Sequence, residues 1–210
     1  MDYLFELSSN EPRVRQLCLV DHQFAGLVDT IGQITVTIRG DAFHYLVKSL
    51  IGQQLSVKAA DTICRRVEQS CGDFSPETML SASEENLRSA GVSRPKINYI
   101  KNLAELVLRN ELDFISIKDL DNEEVIAVLT EVKGIGRWTA EMFLIFFLGR
   151  EDVLSLGDAG LRRAANWLYG AEGGLGPAYL EIQSPNWKPY RTIASLYLWE
   201  AINLGHVNRV

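Results

Sequence analysis

The chain is poor in the residues from which metal and covalent sites are most often built. It has three cysteines, Cys18, Cys64 and Cys71, and three histidines, His22, His44 and His206. Neither set has metal-ligand spacing, so a zinc module and a disulfide framework are excluded. The cysteines read as free thiols of a reducing compartment, and Cys64 and Cys71, one heptad apart, as helix packing residues. The histidines are scattered and receive no role. Long apolar runs are also missing: Phe143–Leu148 is far too short to span a bilayer. The N-terminus, Met1-Asp2-Tyr3-Leu4, is neither basic nor followed by a long apolar run, so no signal peptide is expected. No internal repeat or low-complexity segment stands out. There is no basic excess either: 21 Lys and Arg against 27 Asp and Glu give a formal charge of −6. That balance weighs mildly against a nucleic-acid partner.

What is present is an ordinary globular composition, 47% hydrophobic and 23% charged. A chain of 210 residues can bury a core as one domain or as two small intimate ones. Its charge is unevenly spread. Glu111–Glu131 is acidic, with Lys118 its only base. Basic residues collect at Lys58, Arg65, Arg66, Lys133, Arg137, Arg162, Arg163, Lys188 and Arg191. An acidic back and a basic face would reconcile the net charge with salt-sensitive nucleic-acid binding.

Hydrophobic periodicity gives an almost entirely helical reading. Arg13–Val20 and Phe24–Ile31 are short helices broken near Asp21. Gln33–Ile38 alternates and is β-branched, but no partner strand is evident, so it reads as an extended connector or hairpin piece. Asp41 caps a helix over Ala42–Ile51 with Phe43, Leu46, Val47 and Leu50 inward. Gly52-Gln53-Gln54-Leu55 interrupts it, and Ser56 caps the next helix from Val57 to about Ser70. Ser75-Pro76-Glu77 and Ser83-Glu84-Glu85 open two short helices. Arg94–Arg109 buries Ile97, Ile100, Leu103, Ala104, Val107 and Leu108. Ser116–Asp121 is a loop, Asn122–Leu129 a helix, and Trp138–Leu148 an apolar central helix. Gly170–Gly176 reads as a mobile glycine-rich loop, and Thr192–Leu204 as the last helix. Trp187, Tyr190, Tyr197 and Trp199 at helical spacing read first as core.

The chemistry concentrates between Thr130 and Asp158. Val132-Lys133-Gly134-Ile135-Gly136 is a glycine hairpin between two helical patterns. Gly134 and Gly136 permit positive φ and close approach of a phosphate. The amides of Gly136, Arg137 and Trp138 would open a helix and could bind an anion without sequence preference. Lys133 and Arg137 add positive charge at the rim. A plain glycine-rich turn is the alternative reading. Asp158, between Gly157 and the helical run Ala159–Leu168, is a natural N-cap. A carboxylate at such a helix start is favoured in its charged form, which suits a reaction whose transition state is a sugar cation. Glu141, one turn after Arg137, reads as a surface ion-pair partner.

V-K-G-I-G-R-W-T-A followed by L-G-D-A-G-L-R-R-A resembles the helix-hairpin-helix (HhH-GPD) DNA glycosylases, in particular the 3-methyladenine DNA glycosylase II branch. The likeness extends upstream to Ser49–Ala60 and downstream to Trp187–Arg191 and Leu198-Trp199. Lys133 stands where the family often has proline. The resemblance implies an all-α, two-lobed helical bundle with a DNA-binding cleft between the lobes. Residues 1–40 would form an N-terminal segment packed on the C-terminal lobe, and 41–210 the glycosylase core.

Site roles follow from the same resemblance. Asp158 is the expected catalytic acid. Trp138 and Trp199 are expected pocket aromatics. Met142 and Ala159 stand where some relatives carry pocket tyrosines, which puts substrate range in doubt. Lys133, Gly134, Gly136, Arg137, Thr139 and Arg191 are expected on the DNA backbone, although Arg191 could equally meet a buried carboxylate. The wedge that fills the space left by an expelled nucleotide falls at Gln54, with Gln53 and Leu55 beside it. The carbonyls of Thr130, Val132 and Ile135 are expected to hold a monovalent cation, Na+ or K+, when DNA is bound. No other cofactor is implied. The four-cysteine iron–sulfur loop of endonuclease III relatives cannot form, since no cysteine follows Cys71. Bifunctional relatives carry a Schiff-base lysine where this chain has Trp138. The expectation is therefore a monofunctional enzyme of base excision repair. It would act as a monomer on double-stranded DNA containing alkylated purines, away from membranes, in the cytoplasm of a bacterium or the nucleus of a eukaryote. A non-catalytic helix-hairpin-helix DNA-binding module, and a glycosylase for deaminated or oxidised bases, are the alternatives.

Overall fold

Helices dominate the computed structural model, which describes residues 3–37, 41–170 and 179–207. The chain divides into two units, Met1–Ile38 with Leu144–Val210, and Arg39–Phe143. Among the described residues the fold is all-α apart from one two-stranded sheet.

In the first unit, β1 (Tyr3–Leu7) pairs antiparallel with β2 (Ile34–Thr37), Leu7 opposite Ile34 and Phe5 opposite Val36. The alternating segment at Gln33–Ile38 thus finds the partner that the sequence did not disclose. Phe5 and Leu7 are buried and Glu6 is exposed, as a sheet with one covered face requires. Between the strands lie α1 (Pro12–Val20) and α2 (His22–Ile31). They share a core with α10 (Ala159–Tyr169) and α12 (Arg191–Asn203), in which Phe24, Leu161, Trp187, Ile193 and Tyr197 are buried. The short α11 (Tyr179–Gln183) and a 3-10 turn at Ser184–Trp187 complete the unit. The glycine-rich stretch expected at Gly170–Gly176 lies, beyond Gly170, outside the described residues.

One buried carboxylate ties this unit together. Asp21, which the sequence reading treated only as a helix break, is 8% exposed. Its Oδ1 accepts from the amide of Phe24 at 2.9 Å and so caps α2. Its Oδ2 accepts from Tyr169 Oη at 2.6 Å and Trp187 Nε1 at 3.2 Å. Burial, and then the hydrogen bond to Asp21, push the Tyr169 phenol far above its ordinary range.

The second unit holds α3 (Ala42–Gly52), α4 (Val57–Cys71), α5 (Pro76–Ser81), α6 (Glu84–Ala90), α7 (Arg94–Leu108), a 3-10 turn at Ser116–Asp119, and α8 (Asn122–Thr130). Side chains set the helix starts: Asp41, Ser56, Ser75, Ser83 and Asp121 each accept from an amide of the following turn. Phe43, Leu46, Val47 and Leu50 are all buried, as the periodicity predicts. On α7 the same reasoning overreaches by a turn: Ile97, Ile100, Leu103 and Ala104 are buried, but Val107 is only half-buried and Leu108, at the end of the helix, is 38% exposed. α9 (Arg137–Phe146) begins in this unit, and the division between units falls within it. Burial raises the Cys64 thiol and, aided by Asp29 and Asp21, the Cys18 thiol above the usual range. Among the described residues no helix is long and apolar enough to cross a membrane.

Asp21→Ala uncaps α2 and strands a buried phenol and a buried indole N–H, at a cost of roughly 2–4 kcal/mol. Urea denaturation should show this as a lowered midpoint with an unchanged slope.

Candidate functional site

The hairpin is built by the ends of two helices. α8 closes with the amide of Val132 donating to Leu129 O at 3.2 Å, and the amide of Ile135 then donates to Val132 O at 3.0 Å. Val132 and Ile135 are buried, which pins the turn by its apolar residues. The next helix starts at Gly136, whose carbonyl accepts from the Ala140 amide at 3.1 Å. With no side chain, Gly136 cannot cap the amides that follow it.

The two glycines serve different ends. Gly134 has φ +90°, and a Cβ placed on it would lie 2.4 Å from the ring of Tyr99 on α7. Gly136 does not have a positive φ, and a Cβ there would meet nothing within 4 Å. The positive φ that the sequence permits at both glycines is therefore used at one. Gly134 is demanded by the chain itself, whereas Gly136 leaves open space at the start of α9.

The charges at the rim are less available than expected. Lys133 is exposed. The Arg137 guanidinium, however, binds Glu123 through both terminal nitrogens, at 3.0 and 2.7 Å, and Glu141 through Nε at 3.0 Å. Hydrogen bonds from Arg137 hold the Glu123 carboxyl below the usual range. Glu141 is an ion-pair partner as expected, but it is 6% exposed rather than at the surface. It lies on the face of α9 that also buries Ala140 and Phe143, and a buried carboxylate needs such a partner. Thr139 is buried at 4% exposure, so its side chain is withdrawn from the surface. Trp138, between them, is 49% exposed. Met142 is buried, and Ala159 is exposed.

Asp158 caps α10: its Oδ1 accepts from the Leu161 amide at 2.7 Å. The same oxygen accepts from Trp199 Nε1 at 3.3 Å. Trp199, half-buried on α12, lies against Phe146, ring centroids 5.7 Å apart. Two residues that the sequence selected separately are thus in contact. Gly160 makes room for this contact, since a Cβ there would sit 3.0 Å from Asp158 Oδ1.

The loop that leads to Asp158 is anchored upstream. Arg191 Nε donates to Asp152 Oδ1 at 2.6 Å, and Nη2 donates to Oδ2 at 3.0 Å. Arg191 thus meets a carboxylate, although a partly exposed one rather than the buried one expected. Thr192 Oγ1 donates to Arg150 O at 2.6 Å and accepts from the Val153 amide at 3.0 Å. Glu151 pairs with Arg13, which Glu11 also holds. The start of α12 therefore clamps residues 150–153, a role that no local motif announces.

The turn between α3 and α4 carries the remaining expected residues. Gln54 is exposed and has φ +60°, rare for a residue with a side chain. Leu55 and Val57 are 41% and 79% exposed. Gln53 points elsewhere: its Nε2 donates to the carbonyl of Gly134 at 2.8 Å.

The Gly134→Ala substitution should cost of order 1–3 kcal/mol from φ strain alone, before the contact with Tyr99 is counted. Gly136→Ala should stay within about 1 kcal/mol. Chemical denaturation of the two variants checks this, and an equal loss would mean that Gly136 is held by the fold rather than kept open.

The family model described as HhH-GPD superfamily base excision DNA repair protein matches residues 47–191. DNA-3-methyladenine glycosylase 1 of Schizosaccharomyces pombe is 35% identical over 172 residues, 79% of this chain and 74% of the relative. A crystal structure of DNA-3-methyladenine glycosidase from Bacillus halodurans superposes with a TM-score of 0.84 at 43% identity, covering 96% of this chain and 92% of that one. A 3-methyladenine DNA glycosylase of S. pombe in complex with abasic DNA gives 0.79 at 30% identity, with 95% and 100% covered. With the match running from α3 to the first residue of α12, through hairpin and aspartate alike, the chain belongs to the HhH-GPD superfamily of base excision DNA repair proteins.

Proposed function

We propose that this chain is a monofunctional DNA glycosylase of base excision repair. It flips an alkylated purine of the 3-methyladenine or 7-methylguanine type out of duplex DNA and hydrolyses its N-glycosidic bond, leaving an abasic site. The observation that carries the reading is the Asp158 carboxylate, held by a helix amide and by the Trp199 indole. It occurs in a chain that also has the open glycine hairpin. The named relatives are 3-methyladenine glycosylases, and one is bound to abasic DNA, the form of strand that such a reaction leaves.

The chemistry follows from charge. When the bond from C1′ to the purine nitrogen breaks, the electron pair leaves with the base and the sugar becomes an oxocarbenium ion. A fixed carboxylate stabilises that ion electrostatically. Water then bonds to C1′ and its proton passes to Asp158 or to solvent. An alkylated purine already carries positive charge, so it leaves without a second protein acid. The position after Arg137 is Trp138 rather than lysine, so no amine is supplied there for a Schiff base or for strand cleavage. The exposed face of Trp138 and the ring of Trp199 offer flat apolar surfaces to an expelled base.

The hairpin grips one DNA backbone through the amides of Gly136, Arg137, Trp138 and Thr139, with Lys133 adding charge. Arg137 is half-neutralised by its carboxylate partners, and Arg191 works on Asp152, so neither is a simple phosphate ligand. The carbonyls of Thr130, Val132 and Ile135 would hold a monovalent cation, which would add positive charge at the hairpin. Val132 O already accepts from Ile135 and keeps a second lone pair for that purpose.

Single-turnover assays on duplex DNA with one alkylated purine test the reading. Base release should be seen, strand breaks should appear only after alkali, and Asp158→Asn should slow release by about a hundredfold or more. Direct nicking would make the enzyme a lyase. Binding without release would leave only a DNA-binding module. Glu123→Gln should release the terminal nitrogens of Arg137, leaving Nε on Glu141, and so tighten binding to undamaged duplex and steepen the salt dependence by up to about one counterion. An unchanged slope would mean that Arg137 never reaches the backbone.

A further inference from the structure

The turn between α3 and α4 and the hairpin between α8 and α9 are distant in sequence, yet they are fastened together through α7. Gln53 Nε2 donates to Gly134 O at 2.8 Å. Lys96 Nζ donates to the carbonyls of Ile51, at 2.8 Å, and Gln53, at 2.7 Å, which close α3. One turn further along α7, the Tyr99 ring fills the space beside Gly134. Burial lowers the pKa of Lys96, and its ammonium sits where the end of a helix dipole favours a cation. Gln54, next in the chain, holds φ +60° on an exposed tip. A side-chain-bearing residue keeps that conformation only when its surroundings determine it, and here Lys96 and Gln53 fix the residues before it.

We propose that Gln53 is a positioning residue that sets the reach of the Gln54 wedge by fastening its turn to the hairpin. The inference rests on the glycosylase reading above, which makes Gln54 the wedge and the hairpin the grip. Expelling a nucleotide costs a few kcal/mol, so a wedge must be braced against something that does not recoil. The hairpin, held to phosphates by its amides, is such a brace if the wedge turn cannot move relative to it. A glutamine suits this task because its amide donates to the carbonyl of Gly134, whose left-handed backbone is set by Tyr99. Neither Gln53 nor Lys96 then needs to touch the lesion.

Gln53→Leu keeps the volume and deletes the donor. On a lesion paired with its normal partner, single-turnover release should fall roughly tenfold, about what one net hydrogen bond is worth. On the same lesion placed opposite an abasic analogue, where no pair has to be opened, release should return to within about twofold of the native chain. Equal losses on both duplexes, or no loss on either, would overturn the proposal. Fluorescence of 2-aminopurine beside the lesion reports base opening without any chemistry. The variant should show a smaller rise than the native chain at equal saturation with DNA, and an equal rise would also count against the proposal. If the native chain opened the pair but released no base, the enzymatic reading would fail while the fluorescence comparison still decided the role of Gln53. Thermal denaturation of the variant confirms that it is folded.

Discussion

The unpaired amides at the start of each helix are the constraint on which this molecule turns. A fold made of many short helices has many such starts, and each buried or half-buried one needs an acceptor. Glu11, Asp21, Asp41, Ser56, Ser75, Ser83, Asp121 and Asp158 supply one from a side chain. α9 differs in beginning at a glycine. Having no side chain, Gly136 offers the first amides of α9 no acceptor of its own. Asp158 lies at the opposite extreme. It satisfies its own helix, and the same oxygen also receives the Trp199 indole, so the carboxylate is held in place before any substrate arrives.

The charges show a second economy. Arg137 and Arg191 belong to the basic set of the sequence, but each is engaged by carboxylates of the chain, as is Arg13. Arg191 and Arg13 fasten residues 150–153, the loop that leads to Asp158. Cations paired within the chain add less to unspecific phosphate affinity, which grows with each free cation. The formal charge of −6 is compatible with DNA binding on these terms.

Much of this was legible beforehand. The N-cap residues, the inward faces of α3 and α7, the hairpin limits and the carboxylate all follow from local rules of capping, periodicity and turn chemistry. The reading failed where a residue's partner is distant. Gln33–Ile38 could not be paired because Tyr3–Leu7 gives only a short alternating signal. Asp21 looked like a break because Tyr169 and Trp187 lie more than a hundred residues away. The carboxylate partners of Arg137 and Arg191 went unseen because a sequence shows a charge without showing what neutralises it. Gln53 was placed with its neighbour as a wedge, although its side chain turns back to Gly134.

The sequence by itself determined the helical fold, the places where helices start, the family, and the carboxylate that caps α10. These are properties of residues within a turn or two of one another, and the chain carries them locally. Only the tertiary structure decided which glycine is strained and which is open, which arginines are already spent, and that Trp199 meets Asp158. Those outcomes depend on the register of α7 and α12 against segments far along the chain, and register is set by packing, which no local pattern records.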